Sequence, residues 1–286
     1  MCLKTKNNIA ENFKEIAVNV YNNKYNSNVD DFLKLQEKLS NLSPIACKDQ
    51  YFGVLRIEKN AHSFCEWIIP PICLDSENTE EKRSLVKKRN QNEDKIKKYI
   101  SQNAAKTIVI VLESPHTDEF LKEEEWKAIG PACGTTGRNL YKWLPEVLLN
   151  YVPCMIGLKK DNYKATYNSN KDIMQDCYAI KLVNAIQYQC SLGDKTEVFR
   201  DEVFSNMWND DTIVSLRKRL NEVAPQIIIN CCTKGYVSDK EKELRYLVQK
   251  EINNRNKTDS CLLLRAAHPS SLYFKNGLSW VDKEED

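Results

Sequence analysis

A chain of 286 residues with 42% apolar and 29% charged residues has the balance of a globular protein, long enough for one large domain or a domain with an appendage. No apolar segment approaches the ~18–20 residues that cross a bilayer, and the opening "MCLKTKNNIAENFKE" lacks the apolar core of a secretory signal, so the expected location is cytoplasmic with no membrane partner. A net charge of +2 does not announce a nucleic-acid binder, although a local basic face would supply phosphate contacts without a basic total.

Residues 1 to about 103 are rich in Lys, Asn and Glu and read as an N-terminal α+β extension of helices and a short hairpin. A helical pattern runs through "DDFLKLQEKLSNL", and "FGVLRI" and "FCEWII" are strand-like. The segment "ENTEEKRSLVKKRNQNEDKIKKYI" reads as a solvated helix, with a phosphate-leaning basic helix as the sharper alternative.

From residue 104 the texture changes. Continuous apolar runs "TIVIVL" (107–112), "YAIKLVNAIQY" (178–188), "QIIINCC" (226–232) and "CLLLRAA" (261–267) alternate with the helical patterns "GRNLYKWLPEVLLNY", "TIVSLRKRLNEVA" and "DKEKELRYLVQKEINN". Strands that are apolar on both faces, separated by helices, imply an α/β fold: three layers, α/β/α, around a central four-stranded parallel sheet spanning 104–286.

Ligands of such sheets bind beyond the carboxyl ends of the strands. The first run ends in Glu113-Ser114-Pro115-His116, and the second carries Asn184 near its end. The third ends at Asn230 and the fourth in His268-Pro269-Ser270-Ser271. Two of the three histidines of the chain stand on this rim. Eleven cysteines contain no C-x-x-C pair; several lie in apolar runs, and they read as free thiols with no metal site.

These ordered motifs resemble the uracil-DNA glycosylase superfamily over roughly residues 105–275. "VLESPHTDE" is similar to the family's first motif, with Glu113 on the glutamate of its thermostable branch. "GPACGTTGRNL" is similar to that branch's Gly/Pro segment, with Pro131, Gly134 and Gly137 in register. "LVNAIQ" resembles the strand whose asparagine reads the base, and "AAHPSSL" the His-Pro-Ser-Pro-Leu motif. The resemblance implies Glu113 and His268 as catalytic residues, with Asn184, Ala132 and His116 binding the base. It implies DNA contacts by Ser114, Pro115, Thr135, Thr136, Ser270, Ser271 and the intercalating Leu272.

The chemistry suits these residue types. A carboxylate beside the sugar stabilises an oxocarbenium-like state and orients water. A histidine donor stabilises the departing base, and an asparagine offers a donor and acceptors to its edge. The residues also have plainer readings. Glu113 would cap a following helix, His116 would be a turn residue, and Asn184 and Asn230 would satisfy neighbouring backbone.

Departures from the family bear on substrate. Ala132 stands where the branch has a base-stacking aromatic, Leu112 and His116 replace glycines, and the iron–sulfur cysteines are missing, so no cofactor is expected. The lost ring suggests room for a large base. The expectation is a monofunctional DNA glycosylase leaving an abasic site, acting on a bulky modified cytosine such as glucosylated 5-hydroxymethylcytosine of phage DNA in antiviral defence. Abasic-site processing enzymes would act downstream. The alternatives are a repair enzyme for uracil or a small lesion, with Phe120 or Tyr141 supplying the stack, and a non-catalytic reader of modified DNA.

Overall fold

The structure is a computed structural model that describes residues 13–23, 39, 42–59, 64–73, 79–121, 126–155, 174–191, 197–235, 243–255 and 261–280. The helical pattern at 30–42 lies largely outside them. In chain order the elements are α1 (13–23), β1 (Gln50–Lys59), β2 (Phe64–Ile69), α2 (Thr79–Asn103), β3 (Lys106–Leu112), β4 (Phe120–Leu121) and β5 (Lys127–Ala128). They continue with α3 (Thr135–Met155), β6 (Met174–Asn184), α4 (Glu197–Met207), α5 (Asp210–Val223), β7 (Ile227–Asn230), α6 (Leu244–Arg255), β8 (Leu262–Arg265) and β9 (Ser279–Trp280).

One sheet in the order β2-β1-β6-β3-β7-β8-β9 organises the fold. Strands β6, β3, β7 and β8 run parallel, whereas β1 pairs antiparallel with both β2 and β6, and β9 antiparallel with β8. The sheet is therefore mixed, which corrects the expectation of a four-stranded parallel one. The cause is the open flank of β6. Its unpaired N–H and C=O groups need a partner, and β1 supplies one from Gln50 opposite Leu182 to Lys59 opposite Met174.

Strand alternation sorts the core into two layers. Val109, Val111, Val183 and Ile228 point to one face, where they meet Phe13 and Ala17 of α1, Phe199 and Phe204 of α4, Leu216 and Leu220 of α5 and Val248 of α6. Ile108, Ile110, Leu112, Ile180 and Ile229 point to the other, against Leu140, Leu144 and Leu148 of α3 and Phe274. Burial on both faces is why these strands read as unbroken apolar runs. Helix α2, polar along much of its length, still buries Leu85, Val86, Arg89 and Ile96. A second, two-stranded sheet, β4-β5, lies outside the main one.

Parallel direction puts the carboxyl ends of β3, β6, β7 and β8 on one edge. The register aligns them closely: Leu112 sits opposite Asn184, Val111 opposite Asn230, and Asn230 opposite Arg265. The residues that follow each strand form the rim.

Candidate functional site

Glu113 follows β3 directly and is 6% exposed. Its Oε2 accepts a hydrogen bond from the Thr233 backbone N–H at 2.8 Å, and Arg200 Nη1 lies 3.6 Å from its Oε1. The carboxylate thus ties β3 to the loop after β7 and does not cap a helix. Arg200 also donates to Asp201 Oδ1 from Nε and Nη2, at 2.8 and 2.7 Å. Burial alone would lower the pKa of this guanidinium, but Glu113 and Asp201 outweigh it and hold the charge more firmly. Arg200 was not anticipated from the sequence. Its helix was not among the expected elements either, although Phe199, Val203, Phe204 and Met207 recur at helical spacing.

His268 follows β8. Its Nδ1 accepts from the Ser270 N–H at 3.2 Å and lies 2.7 Å from the Ser270 hydroxyl. A ring nitrogen that accepts from a backbone N–H carries no proton, so the neutral ring bears its hydrogen on Nε2. Desolvation pushes the pKa of His268 down and favours that neutral form; Glu113 opposes the shift, and Arg200 and His116 reinforce it. The serine after the proline thereby fixes the tautomer.

Asn184 ends β6 and is 1% exposed. Both its Nδ2 and its Oδ1 are buried and make no hydrogen bond. Its backbone, by contrast, is pinned: Arg219 donates from Nη1 to the Asn184 carbonyl at 3.0 Å and from Nη2 to that of Ala185 at 3.1 Å. Asp49 holds Arg219 in turn, at 2.7 and 2.9 Å. Asn230 differs. Its Oδ1 accepts from Cys232 N and its Nδ2 donates to Arg245 O and Gln249 Oε1, so the side chain is fully engaged in structure.

Beside Asn184 lies Glu119, a residue for which the sequence offers no signal. It is 4% exposed, and its Oε1 accepts from the Ala132 N–H at 2.8 Å. Burial raises its pKa to about 7, against the Ala132 N–H, His116, Arg89 and the neighbouring Asn184 amide, which all favour the charged form. The short 3₁₀ turn Thr117–Glu119 aims Glu119 inward, while Asp118 stays beside His116, with Oδ2 3.3 Å from Nδ1. His116 is exposed and electrostatically couples to both Glu119 and His268. The expected base-binding set of Asn184, Ala132 and His116 thus gathers around a carboxylate.

Ala132 is buried in the core and adopts φ +57°, a left-handed conformation that is rare for a residue with a Cβ. Its carbonyl explains Gly137, where a Cβ would lie 2.1 Å from the Ala132 oxygen. Arg89 of α2 supports the same loop, donating to Pro131 O at 2.6 Å and to Cys133 Sγ at 2.9 Å. Glu119 occupies the space at the Ala132 N–H. Of the two aromatics considered for stacking, Phe120 packs edge-on against Trp126 and Tyr141 stacks on Trp67.

The expected DNA contacts divide into two groups. Ser114 and Pro115 are turned inward, and the Ser114 hydroxyl is sealed from solvent. Thr135, Ser270 and Leu272 are exposed, and Thr136 and Ser271 half-buried. Behind the rim, a cleft of about 930 Å³ runs between α2, α5 and residues 45–50. It shares Ala185 and Ile186 with the rim but is not lined by Glu113 or His268. Among the described residues no cluster of His, Cys, Asp and Glu could hold a metal ion, and no helix is long and apolar enough to cross a membrane. No protein-family profile, no curated protein and no solved structure matches the chain.

Proposed function

We propose that this chain is a monofunctional DNA glycosylase that flips a modified base into the rim and hydrolyses its N-glycosidic bond, leaving an abasic site. The observation that carries the reading is the Asn184 amide: a donor and an acceptor, buried and unpaired, at the carboxyl edge of a parallel sheet. Leaving such groups unsatisfied costs about 1–3 kcal/mol each, a cost that a base edge bonded to both would recover.

The other rim residues fit the same chemistry. His268 presents Nε2–H as a neutral donor to the oxygen of the departing base, where negative charge develops. Glu113 stands on the sugar side, where a carboxylate stabilises developing positive charge and orients the attacking water. Water supplies the hydroxyl that replaces the base on the sugar and the proton that the base takes up. No lysine takes part, so no strand cleavage follows.

The proposed substrate is a bulky modified cytosine, glucosylated 5-hydroxymethylcytosine of phage DNA, with antiviral defence as the role. An alanine in place of a ring at position 132 and the carboxyl of Glu119 beside the unbonded Asn184 amide support a base other than uracil. The test is incubation of the protein with glucosylated phage DNA, uracil-containing DNA and unmodified DNA, with abasic sites counted and released bases identified by mass spectrometry. Release from glucosylated DNA is expected. Release of uracil alone would leave an ordinary repair glycosylase and overturn the large-base reading.

One observation favours a second reading, a non-catalytic reader of modified DNA. Both oxygens of Glu113 face internal partners, Thr233 N–H and Arg200, which a purely structural carboxylate would also have. Binding of modified DNA with no base released by the wild-type protein would establish the reader.

A further inference from the structure

Directly after His268 the chain places two large apolar side chains in solvent, side by side: Leu272 is 85% exposed and Tyr273 71%. The tip that carries them is firmly tied. Ser271 N donates to the His268 carbonyl at 2.8 Å, Tyr273 N to Ser271 Oγ at 3.2 Å, and Phe274 N to the Ser271 carbonyl at 3.1 Å. Asn139 Nδ2 of α3 donates to the Pro269 carbonyl at 2.7 Å, and Phe274 anchors the far side of the turn in the core. A mobile loop would fold such side chains back. Here the backbone holds them out.

The base of the tip is cationic. The ammonium groups of Lys142 and Lys275 lie 4.5 and 5.8 Å from the centre of the Trp143 ring, which draws both to one place. An apolar point rising from a cationic base matches a nucleic-acid duplex, with stacked bases inside and phosphates outside, better than it matches an apolar protein groove.

We propose that Leu272 and Tyr273 form a two-residue wedge for double-stranded DNA. The resemblance already implies that Leu272 enters the gap left by the extruded nucleotide; the new assignment is that the Tyr273 ring stacks on the base left behind in the opposite strand. The Tyr273 assignment is an addition to the glycosylase reading and rests on it for the extruded nucleotide. It makes the protein depend on the complementary strand, because in single-stranded DNA the ring has no orphaned base to meet. A tyrosine suits the position: its ring offers a stacking face, and its hydroxyl stays hydrated at the exposed tip.

The experiment measures binding to a duplex holding a stable abasic-site analogue opposite 2-aminopurine, which separates wedging from bond cleavage. The wild-type protein is expected to bind this duplex tighter than the same strand alone and to change 2-aminopurine emission. Tyr273→Ala is expected to weaken duplex binding roughly tenfold, in line with the stacking worth of one base, while single-strand binding stays unchanged. Tyr273→Phe restores the duplex preference. Because the side chain is exposed, the melting temperature of the variant serves as a folding control. Equal duplex binding by Tyr273→Ala and wild type overturns the wedge. If the wild type releases bases yet shows no duplex preference, the wedge fails and the glycosylase reading stands. If it neither binds DNA nor releases a base, both fail.

Discussion

The Glu113 carboxylate accepts a hydrogen bond from the backbone N–H of Thr233 at 2.8 Å, joining the loops that follow β3 and β7. With Arg200 3.6 Å from its other oxygen, Glu113 braces the rim through both of its oxygens. Glu113→Gln keeps an acceptor for Thr233 but removes the charge opposite Arg200. Asp201 still neutralises the guanidinium in part, so the expected loss of unfolding free energy is about 2 kcal/mol, below the full cost of breaking a buried pair. Denaturant unfolding measures it. Adding Arg200→Met takes the guanidinium from the buried Asp201 carboxylate as well, so the double variant is expected to be less stable still, and base release stays absent in both variants.

Asn184 separates function from stability in the opposite direction. Replacing a buried, unpaired amide by an apolar group of similar size removes two unsatisfied polar atoms. Asn184→Leu is therefore expected to leave stability unchanged or raise it by about 1 kcal/mol, while base release is lost. A thermal melt and an abasic-site assay on the same sample check this, and a fall of more than 2 kcal/mol would mean that the amide is already satisfied in the folded chain.

Glu119 gives stability a pH dependence. Its carboxyl titrates at about 7 in the folded protein, with burial as the leading cause, against the ordinary value of 4.5. Between those values the folded state holds a proton that the unfolded state has released, so stability falls as pH rises from about 4.5 to about 7 and then levels. The magnitude is on the order of 3 kcal/mol. Denaturation curves at pH 5.5 and 8.5 are expected to differ by about 2 kcal/mol of this, and Glu119→Gln, neutral at both, is expected to flatten this component.

His268 has the opposite sign. Its pKa is depressed by burial, so on acidification the unfolded state takes up a proton that the folded state refuses, and stability is lost below the ordinary histidine value of 6.5. The neutral ring is expected to persist at pH 6.5 with its hydrogen on Nε2. Nitrogen-15 NMR of the imidazole reads both properties directly. A spectrum with the proton on Nδ1 would contradict the Ser270 hydrogen bond and remove the basis for His268 as a donor to the base.

The carboxyl edge of the sheet was legible because its strands announce themselves. "TIVIVL" and "QIIINCC" are apolar on both faces, and the polar residue ending each run marks where the strand leaves the core. Glu113, Asn184 and His268 follow from that reading together with the strand direction. Glu119 does not, because a single short turn decides that it faces inward while Asp118 beside it faces His116. Arg200 was missed for a related reason: its helix has the periodicity of a core element, but nothing local states that residue 200 meets residue 113.

By itself, then, the sequence determined which segments are the core strands and which polar side chains are delivered near their ends, since burial and period are properties of a segment, but not the stop of β6 at Asn184 or the short strands β4, β5 and β9. Only the tertiary structure decided who stands next to whom. The hairpin β1–β2 extends the parallel strands into a mixed sheet because an open flank needs hydrogen-bond partners, a demand that any strand of suitable length would meet. Glu119 joins Asn184 and Ala132, and Arg200 joins Glu113, because packing brings distant segments together and then sets their charge. Leu272 and Tyr273 remain outside for the same reason: the turn that fixes His268 also holds them away from the core.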